Sequence, residues 1–166
     1  MAFIGIKIPE DMAQKLHRIE APGDRLGPNE MHITMINLGR VASLTQVIKA
    51  MSVVAFAAQE TKPFLVGCAF RTCFPRNSDE SIPIIARVQS PEIMKLRKKL
   101  VEQIETMGIE YNKKHPEFKP HVTLSYSQDS CENLGFEPIM WEVGSIAVWG
   151  GEEMTDRIVT MVELEG

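Results

Sequence analysis

The chain carries a degenerate internal duplication, and this repeat constrains its fold more than any other feature of the sequence. Each copy consists of a strand-like stretch, a helix that begins near a proline, a loop, and a second strand that begins His-x-Thr. The first copy runs from Phe3 to Leu38 and the second from Ile82 to Tyr126. Because each repeat is one supersecondary unit, we predict two similar lobes that face each other across a cleft.

Hydrophobic periodicity assigns the elements within and around the two copies. Alternating apolar residues predict strands, and apolar residues at helical spacing after Pro9, Ser43 and Ser90 predict three helices. Gly108 is a predicted helix stop, and the polar turn 75–80 predicts a hairpin between its flanking strands. The predicted strands are 3–8, 31–39, 64–74, 81–89, 121–127, 140–149 and 156–163, and the first helix is predicted over 9–20.

Size and composition indicate one globular domain over residues 1–166, with pseudo-repeat lobes of roughly 1–74 and 81–166 that can exchange strands. The formal net charge of −4 argues against an extended nucleic-acid surface, although a few local cations suffice for a short nucleotide. No apolar run reaches the length of a membrane span, and the N-terminus does not resemble a signal peptide. We therefore expect a cytoplasmic protein without membrane contact.

Three cysteines, Cys68, Cys73 and Cys131, occur at spacings that match neither a zinc site nor a disulfide framework. We expect them to be reduced and mostly structural, and we expect no bound metal.

The two His-x-Thr tripeptides place an imidazole and a hydroxyl together in each lobe. Residues two apart in a strand project to the same face, so His32 points with Thr34 and His121 points with Thr123. The intervening apolar residues should face the covering helices. Both His/Thr pairs are therefore predicted to face the cleft.

Two facing imidazoles suit phosphodiester cleavage, which needs one base for the attacking oxygen and one acid for the departing oxygen. Histidine serves in both roles near neutral pH, provided that the surroundings separate the two pKa values. Hydroxyl groups can stabilise the negative charge that accumulates on the non-bridging oxygens. The chemistry requires no metal and no cofactor.

The two motifs also carry a family resemblance. His32-Ile33-Thr34 within HITMINLG and His121-Val122-Thr123 within KPHVTL resemble the paired signatures of the two-histidine (2H) phosphoesterase superfamily, also called the 2′,5′ RNA ligase-like family. The resemblance spans nearly the whole chain. It implies an α/β (α+β) bilobed fold, with two mostly antiparallel sheets that line a central cleft and helices packed outside. It also implies catalytic roles for His32, Thr34, His121 and Thr123.

The resemblance implies several reactions without choosing among them. Family members open 2′,3′-cyclic phosphates, cleave 2′,5′ or 3′,5′ linkages and, in a phage branch, destroy cyclic oligonucleotide immune signals. This chain has Asn37 where members often have an aromatic residue, and Ser125-Tyr126 where they often have a basic one. Together with the acidic net charge, these departures favour a small nucleotide or a cyclic oligonucleotide over long RNA.

Four further residues are candidates for substrate binding. Lys7 and Arg87 can supply positive charge to a phosphate, and Phe74 and Trp149, each at the end of a predicted strand, can stack on a base. Solvated charges and core packing are the alternatives for these side chains.

Three other functions share the same histidines. A nucleotide-binding module would keep the cleft without turnover, and an RNA ligase would run the chemistry backwards from a cyclic phosphate end. A zinc hydrolase is disfavoured, because no third ligand lies at a recognisable spacing.

Overall fold

The computed structural model describes residues 1–40, 42–151 and 157–166, which form two antiparallel sheets and three α-helices. The strands are β1 (Ala2–Lys7), β2 (Asp24–Arg25), β3 (His32–Gly39), β4 (Phe64–Cys73), β5 (Ile82–Arg87), β6 (His121–Ser127), β7 (Leu134–Val143), β8 (Ser145–Gly150) and β9 (Ile158–Glu163). The helices are α1 (Glu10–His17), α2 (Leu44–Gln59) and α3 (Pro91–Thr106). The order is β3-β1-β8-β9 in the first sheet and β2-β6-β5-β4-β7 in the second. This architecture confirms the predicted fold class.

Each sheet contains strands from both halves of the chain. Strand β4 follows the first His-x-Thr unit in sequence but pairs with β5 and β7 in the second sheet. Strands β8 and β9, near the C-terminus, extend the first sheet from β1. Neither sheet can therefore form from one half of the chain alone.

The helices cover the outer faces of the sheets and close the core. Buried apolar side chains such as Ile6, Ile33, Val54, Leu100 and Leu124 form one hydrophobic cluster. The predicted helix after Ser43 is confirmed as α2, and it is capped by the Ser43 hydroxyl, which accepts a hydrogen bond from the Gln46 amide at 3.2 Å. The predicted stop of α3 is also confirmed, since Gly108 has a φ of 66° directly after the helix.

A β-bulge interrupts both His-bearing strands at the same place. The register shifts so that Met35 of β3 has no opposing residue on β1 and Leu124 of β6 has none on β5. Both residues follow the threonine of a His-x-Thr motif. The bulged residue and the one after it are both buried in each strand. The alternation then resumes in the opposite phase, which places Asn37 and Tyr126 on the same side as the histidines.

A short strap of chain, residues 22–26, connects the second sheet to the segment before His32. Strand β2 within the strap pairs with β6, and the Leu26 amide donates to the Leu124 carbonyl at 3.0 Å. The Ser125 hydroxyl donates to the Pro22 carbonyl at 2.6 Å. A 3-10 turn, Pro28–Glu30, then leads directly into β3. The strap thus joins the strand that carries His121 to the strand that carries His32.

The structure corrects the prediction of a single strand over 140–149. That stretch belongs to two strands, β7 and β8, which lie in different sheets on either side of Gly144. Val143 before the break and Ile146 after it are both buried, so hydrophobic periodicity gives no sign of the break. Helix α1 is also shorter than predicted and ends at His17. The predicted hairpin of β4 and β5 is confirmed, whereas Asp156, the predicted start of the last strand, lies outside the described residues.

None of the helices in the described part of the chain has the length and apolar character that a membrane crossing requires.

The strap makes a testable contribution to stability through Gly23, which has a φ of 88°. An alanine Cβ at this position would lie 2.2 Å from the Tyr126 carbonyl oxygen, whereas one at Gly108 would meet no atom of the described residues within 4 Å. We expect Gly23→Ala to lower the free energy of unfolding by about 3 kcal/mol or more, through backbone strain and overpacking. Gly108→Ala should lower it by about 1 kcal/mol, through backbone strain alone. Urea denaturation measures both, and equal losses would contradict the described packing of the strap.

Candidate active site

Both motif histidines are anchored in the same way. His32 Nδ1 lies 2.8 Å from the Glu30 carbonyl oxygen, and His121 Nδ1 lies 2.8 Å from the Lys119 carbonyl oxygen. A carbonyl oxygen can only accept, so each Nδ1 carries the hydrogen and donates it. In the neutral form of either ring, Nε2 therefore holds the free lone pair, which is the arrangement that a general base needs.

The two imidazoles face the same cleft. Strands β3 and β6 contact each other, and in both strands the histidine and threonine are partly exposed while the apolar residues between them are buried. Burial is the main effect that lowers the pKa of His121, and the positive charges of His32 and Arg87 lower this pKa further. The hydrogen bond to the Lys119 carbonyl raises it in part. The two rings are thus close enough for the charge on one to act on the other.

The surroundings of the two histidines are unequal. Burial also lowers the pKa of His32, and the hydrogen bond to the Glu30 carbonyl opposes this effect. The positive charge of Arg87 also acts on His121, while the repulsion between the two protonated rings acts on both. The two rings therefore have different charged surroundings.

Aromatic rings contact each histidine in a different geometry. The Phe3 ring stacks on His32 with a centroid distance of 4.5 Å. It also stacks at 4.5 Å on Trp149, which lies opposite Phe3 on the neighbouring strand β8. Trp149 is tilted against His32 at 5.6 Å. Phe74 meets His121 edge-on at 4.6 Å. A face-on ring within about 6 Å of a cation stabilises the charged form, so Phe3 favours the protonated state of His32.

A basic residue lies directly opposite each histidine in the antiparallel ladder. Lys7 of β1 pairs with His32, and Arg87 of β5 pairs with His121. Directly opposing residues project to the same face of a sheet, so both cations border the histidines. Lys7 is exposed and Arg87 is half-buried. Equivalent positions in the two sheets thus supply positive charge to the cleft.

The threonines lie two residues further along the same face. Thr34 is opposite Gly5, and Thr123 is opposite Ile85. Burial raises the pKa of the Tyr126 phenol, and a hydrogen bond with the Thr123 side chain opposes this rise. Thr123 is thus part of a small polar group that also contains Tyr126.

The structure brings all the predicted site residues together, while their roles stay predictions. Each histidine has its own threonine, cation and aromatic neighbour. Sequence reasoning missed Phe3 and Tyr126. Alternation in β1 already placed Phe3 on the face of Lys7, so a signal existed for it. Tyr126 reaches the cleft side only through the bulge, which no sequence pattern reveals.

Within the described ranges, no three side chains among His, Cys, Asp and Glu are grouped so that they could hold a metal ion. The described residues of the cleft therefore offer no preformed protein ligand set for a metal.

Known proteins resemble this chain in sequence pattern and in fold. The sequence model of the 2′-5′ RNA ligase superfamily matches residues 8–153. No curated protein sequence shows significant similarity to the chain. The crystal structure of TT0787 from Thermus thermophilus superimposes with a TM-score of 0.81 at 17% identity, over 99% of this chain and 98% of that one.

Two crystal structures of LigT from E. coli give the same coverage of 99% of this chain and 98% of that one. The complex with ATP has a TM-score of 0.71 at 16% identity, and the complex with 3′-AMP has a TM-score of 0.68 at 16% identity. At these identities the structural likeness establishes the fold. The family match covers most of the sequence, and it confirms the resemblance predicted from the two His-x-Thr motifs: the chain belongs to the 2′-5′ RNA ligase superfamily.

Proposed function

We propose that this protein is a metal-independent phosphodiesterase that cleaves a small nucleotide by general acid-base catalysis between His32 and His121. The observation that carries the proposal is the matched anchoring of the two rings, each held at Nδ1 by a backbone carbonyl at 2.8 Å. This anchoring leaves both Nε2 atoms available for proton transfer. A pair of such groups on facing strands is what in-line displacement at one phosphorus requires.

His121 is the proposed general base and His32 the proposed general acid. The positive charges of His32 and Arg87 lower the pKa of His121, which favours its neutral form. The stacked Phe3 ring favours the protonated form of His32. The productive form of the enzyme then holds one proton on the pair, on the ring beside Phe3.

In the proposed reaction, His121 Nε2 accepts the proton of the attacking hydroxyl or water as the new P–O bond forms. His32 Nε2 donates its proton to the departing oxygen as the old P–O bond breaks. The reaction ends with His121 protonated and His32 neutral, and proton exchange with solvent restores the starting state. The Thr34 and Thr123 hydroxyls, with Lys7 and Arg87, stabilise the charge on the non-bridging oxygens.

The proposed substrate is a small nucleotide with a 2′,3′-cyclic phosphate or a 2′,5′ or 3′,5′ linkage, cyclic oligonucleotides included. Trp149 and Phe74 border the two histidines from opposite sheets and are the proposed stacking surfaces for bases. The structurally similar E. coli LigT has been crystallised with ATP, NADP⁺ and 3′-AMP, which supports a nucleotide ligand for this fold.

Activity of single histidine variants tests the proposal. Purified protein in excess EDTA is incubated with a panel of 2′,3′-cyclic nucleotides, 2′,5′ and 3′,5′ dinucleotides, and cyclic di- and trinucleotides, and the products are identified by mass. We expect turnover of at least one class. Each of His32→Gln and His121→Gln should lower kcat by about 10²–10⁴-fold, because each removes one proton-transfer group. Nucleotide affinity should change little.

His115→Gln is the matched control, because His115 lies exposed in the loop before β6. It should keep full activity. Binding without any product would replace the proposal with a nucleotide-binding module, and joined products would replace it with a ligase. Activity that is lost in EDTA and restored by zinc would contradict metal independence.

The lowered pKa values predict an acidic pH optimum. The productive state has one ring protonated and one neutral, so it is most populated between the two pKa values. Both lie below the ordinary histidine value of 6.5. The profile of kcat/KM against pH, which reports the free enzyme, should be bell-shaped with its maximum below pH 6.5. It should fall towards about pH 8, because His32 loses its proton. A maximum above about pH 7 would contradict the assignment.

A further inference from the structure

Two of the three cysteines lie side by side at one end of the second sheet. Cys73 is the last residue of β4, and Cys131 precedes β7, the antiparallel neighbour of β4. The Cys73 Sγ is 4.0 Å from the Cys131 carbonyl oxygen. The pairing continues into this region, since the Thr72 hydroxyl donates to Asn133 Oδ1 at 2.7 Å. Continued from Arg71 opposite Leu134, the register places Glu132 opposite Cys73 and Cys131 one residue further along. The contact of the Cys73 Sγ with the Cys131 carbonyl brings the Cys131 backbone next to this thiol.

The two thiols also interact with each other. Burial raises the pKa of Cys131, and a hydrogen bond with the Cys73 thiol adds to this rise. Both side chains are partly exposed, in contrast to Cys68. A small reagent can therefore reach the pair.

A buried arginine lies against the pair. Arg71 is only 8% exposed, and its guanidinium donates to the backbone carbonyls of Glu20 and Glu132, which are neutral acceptors. Its Nε is buried without a hydrogen-bond partner among the described residues. The positive charge of Arg71 opposes the effect of burial on the Cys131 pKa, which still lies above the ordinary thiol value. Arg71 is thus the positively charged group that a thiolate formed at this pair would face.

We propose that Cys73 and Cys131 form a redox-active dithiol, which small disulfides such as oxidised glutathione convert reversibly into an intramolecular disulfide. The proposal rests on the juxtaposed thiols and on the buried Arg71 guanidinium beside them. It is independent of the proposed phosphodiesterase activity.

The exchange proceeds in two steps. The thiolate of one cysteine of the pair attacks one sulfur of oxidised glutathione, which forms a mixed disulfide and releases one glutathione thiolate. The thiolate of the other cysteine then displaces the second glutathione and forms the Cys73–Cys131 bond. Two protein thiols are oxidised, one oxidised glutathione is reduced to two reduced molecules, and the two protons pass to the glutathione thiolates.

The bond would act next to the candidate active site. Phe74 follows Cys73 directly in the chain and contacts the His121 ring edge-on at 4.6 Å. The disulfide would link two positions that are 58 residues apart in sequence. It would therefore hold the end of β4, next to the Phe74 ring, in place. It would also reduce the conformational freedom of the unfolded chain.

Intact mass after thiol alkylation tests the proposal. The reduced protein is incubated with oxidised glutathione, and the reaction is quenched and the free thiols are alkylated with iodoacetamide. Mass spectrometry then gives the intact mass, and a non-reducing peptide map locates the bond. We expect two fewer alkylated thiols, a Cys73–Cys131 peptide, and full reversal by dithiothreitol. The oxidised protein should have a Tm higher by roughly 10 °C.

Cys68→Ser is the matched control, because burial raises the pKa of Cys68 to about 12 and leaves it unreactive. This variant should form the same bond. Cys73→Ser and Cys131→Ser should each lose the intramolecular bond and keep glutathione attached to the remaining thiol of the pair. Unchanged alkylation of the wild-type protein, or a bond that involves Cys68, would overturn the proposal.

Discussion

The hydrogen bond from each imidazole Nδ1 to the carbonyl two residues earlier is the interaction on which the candidate site depends. It fixes the tautomer and the orientation of His32 and of His121 with the same geometry in two different sheets. Because both acceptors belong to the backbone, the ring positions follow from the course of the chain just before each strand. The site is therefore as rigid as the segments that contain Glu30 and Lys119, and proton-transfer groups need such preorganisation.

Those segments are held by backbone pairing across the two halves. The strap pairs with β6 and continues into the turn that contains Glu30, while β4 belongs to the second sheet and β8 and β9 belong to the first. Lys119 is next to Pro120, whose carbonyl accepts from the Val88 amide at 2.9 Å. The separation of the histidines is thus set by regular backbone hydrogen bonds, with side-chain packing as support. The same pairing brings the Cys73–Cys131 pair within one residue of Phe74, so the redox chemistry and the His121 ring share one end of β4.

Much of this arrangement could be predicted from the sequence. The duplicated His-x-Thr units predict the facing strands, and alternation around Ile33 and Val122 correctly assigns the buried face. The repeat also predicts that Lys7 and Arg87 occupy equivalent positions in the opening strands of the two copies. The strand pairing agrees, because each of them lies opposite a motif histidine. The remaining features depend on pairing between distant segments. No local pattern reveals the bulges that turn Tyr126 to the cleft side, the break at Gly144 between the sheets, or the approach of Cys131 to Cys73.

The central claim is that the two imidazoles act on one phosphate. NMR titration of the His32 and His121 ring signals with a nucleoside monophosphate, such as 3′-AMP, tests it most directly, with assignments from the His32→Gln and His121→Gln variants. If the account is correct, both rings respond along one binding curve with a single bound nucleotide, and both Nε2 environments change while the Nδ1 hydrogen bonds persist. A response confined to one ring, or two separate binding curves, would contradict it.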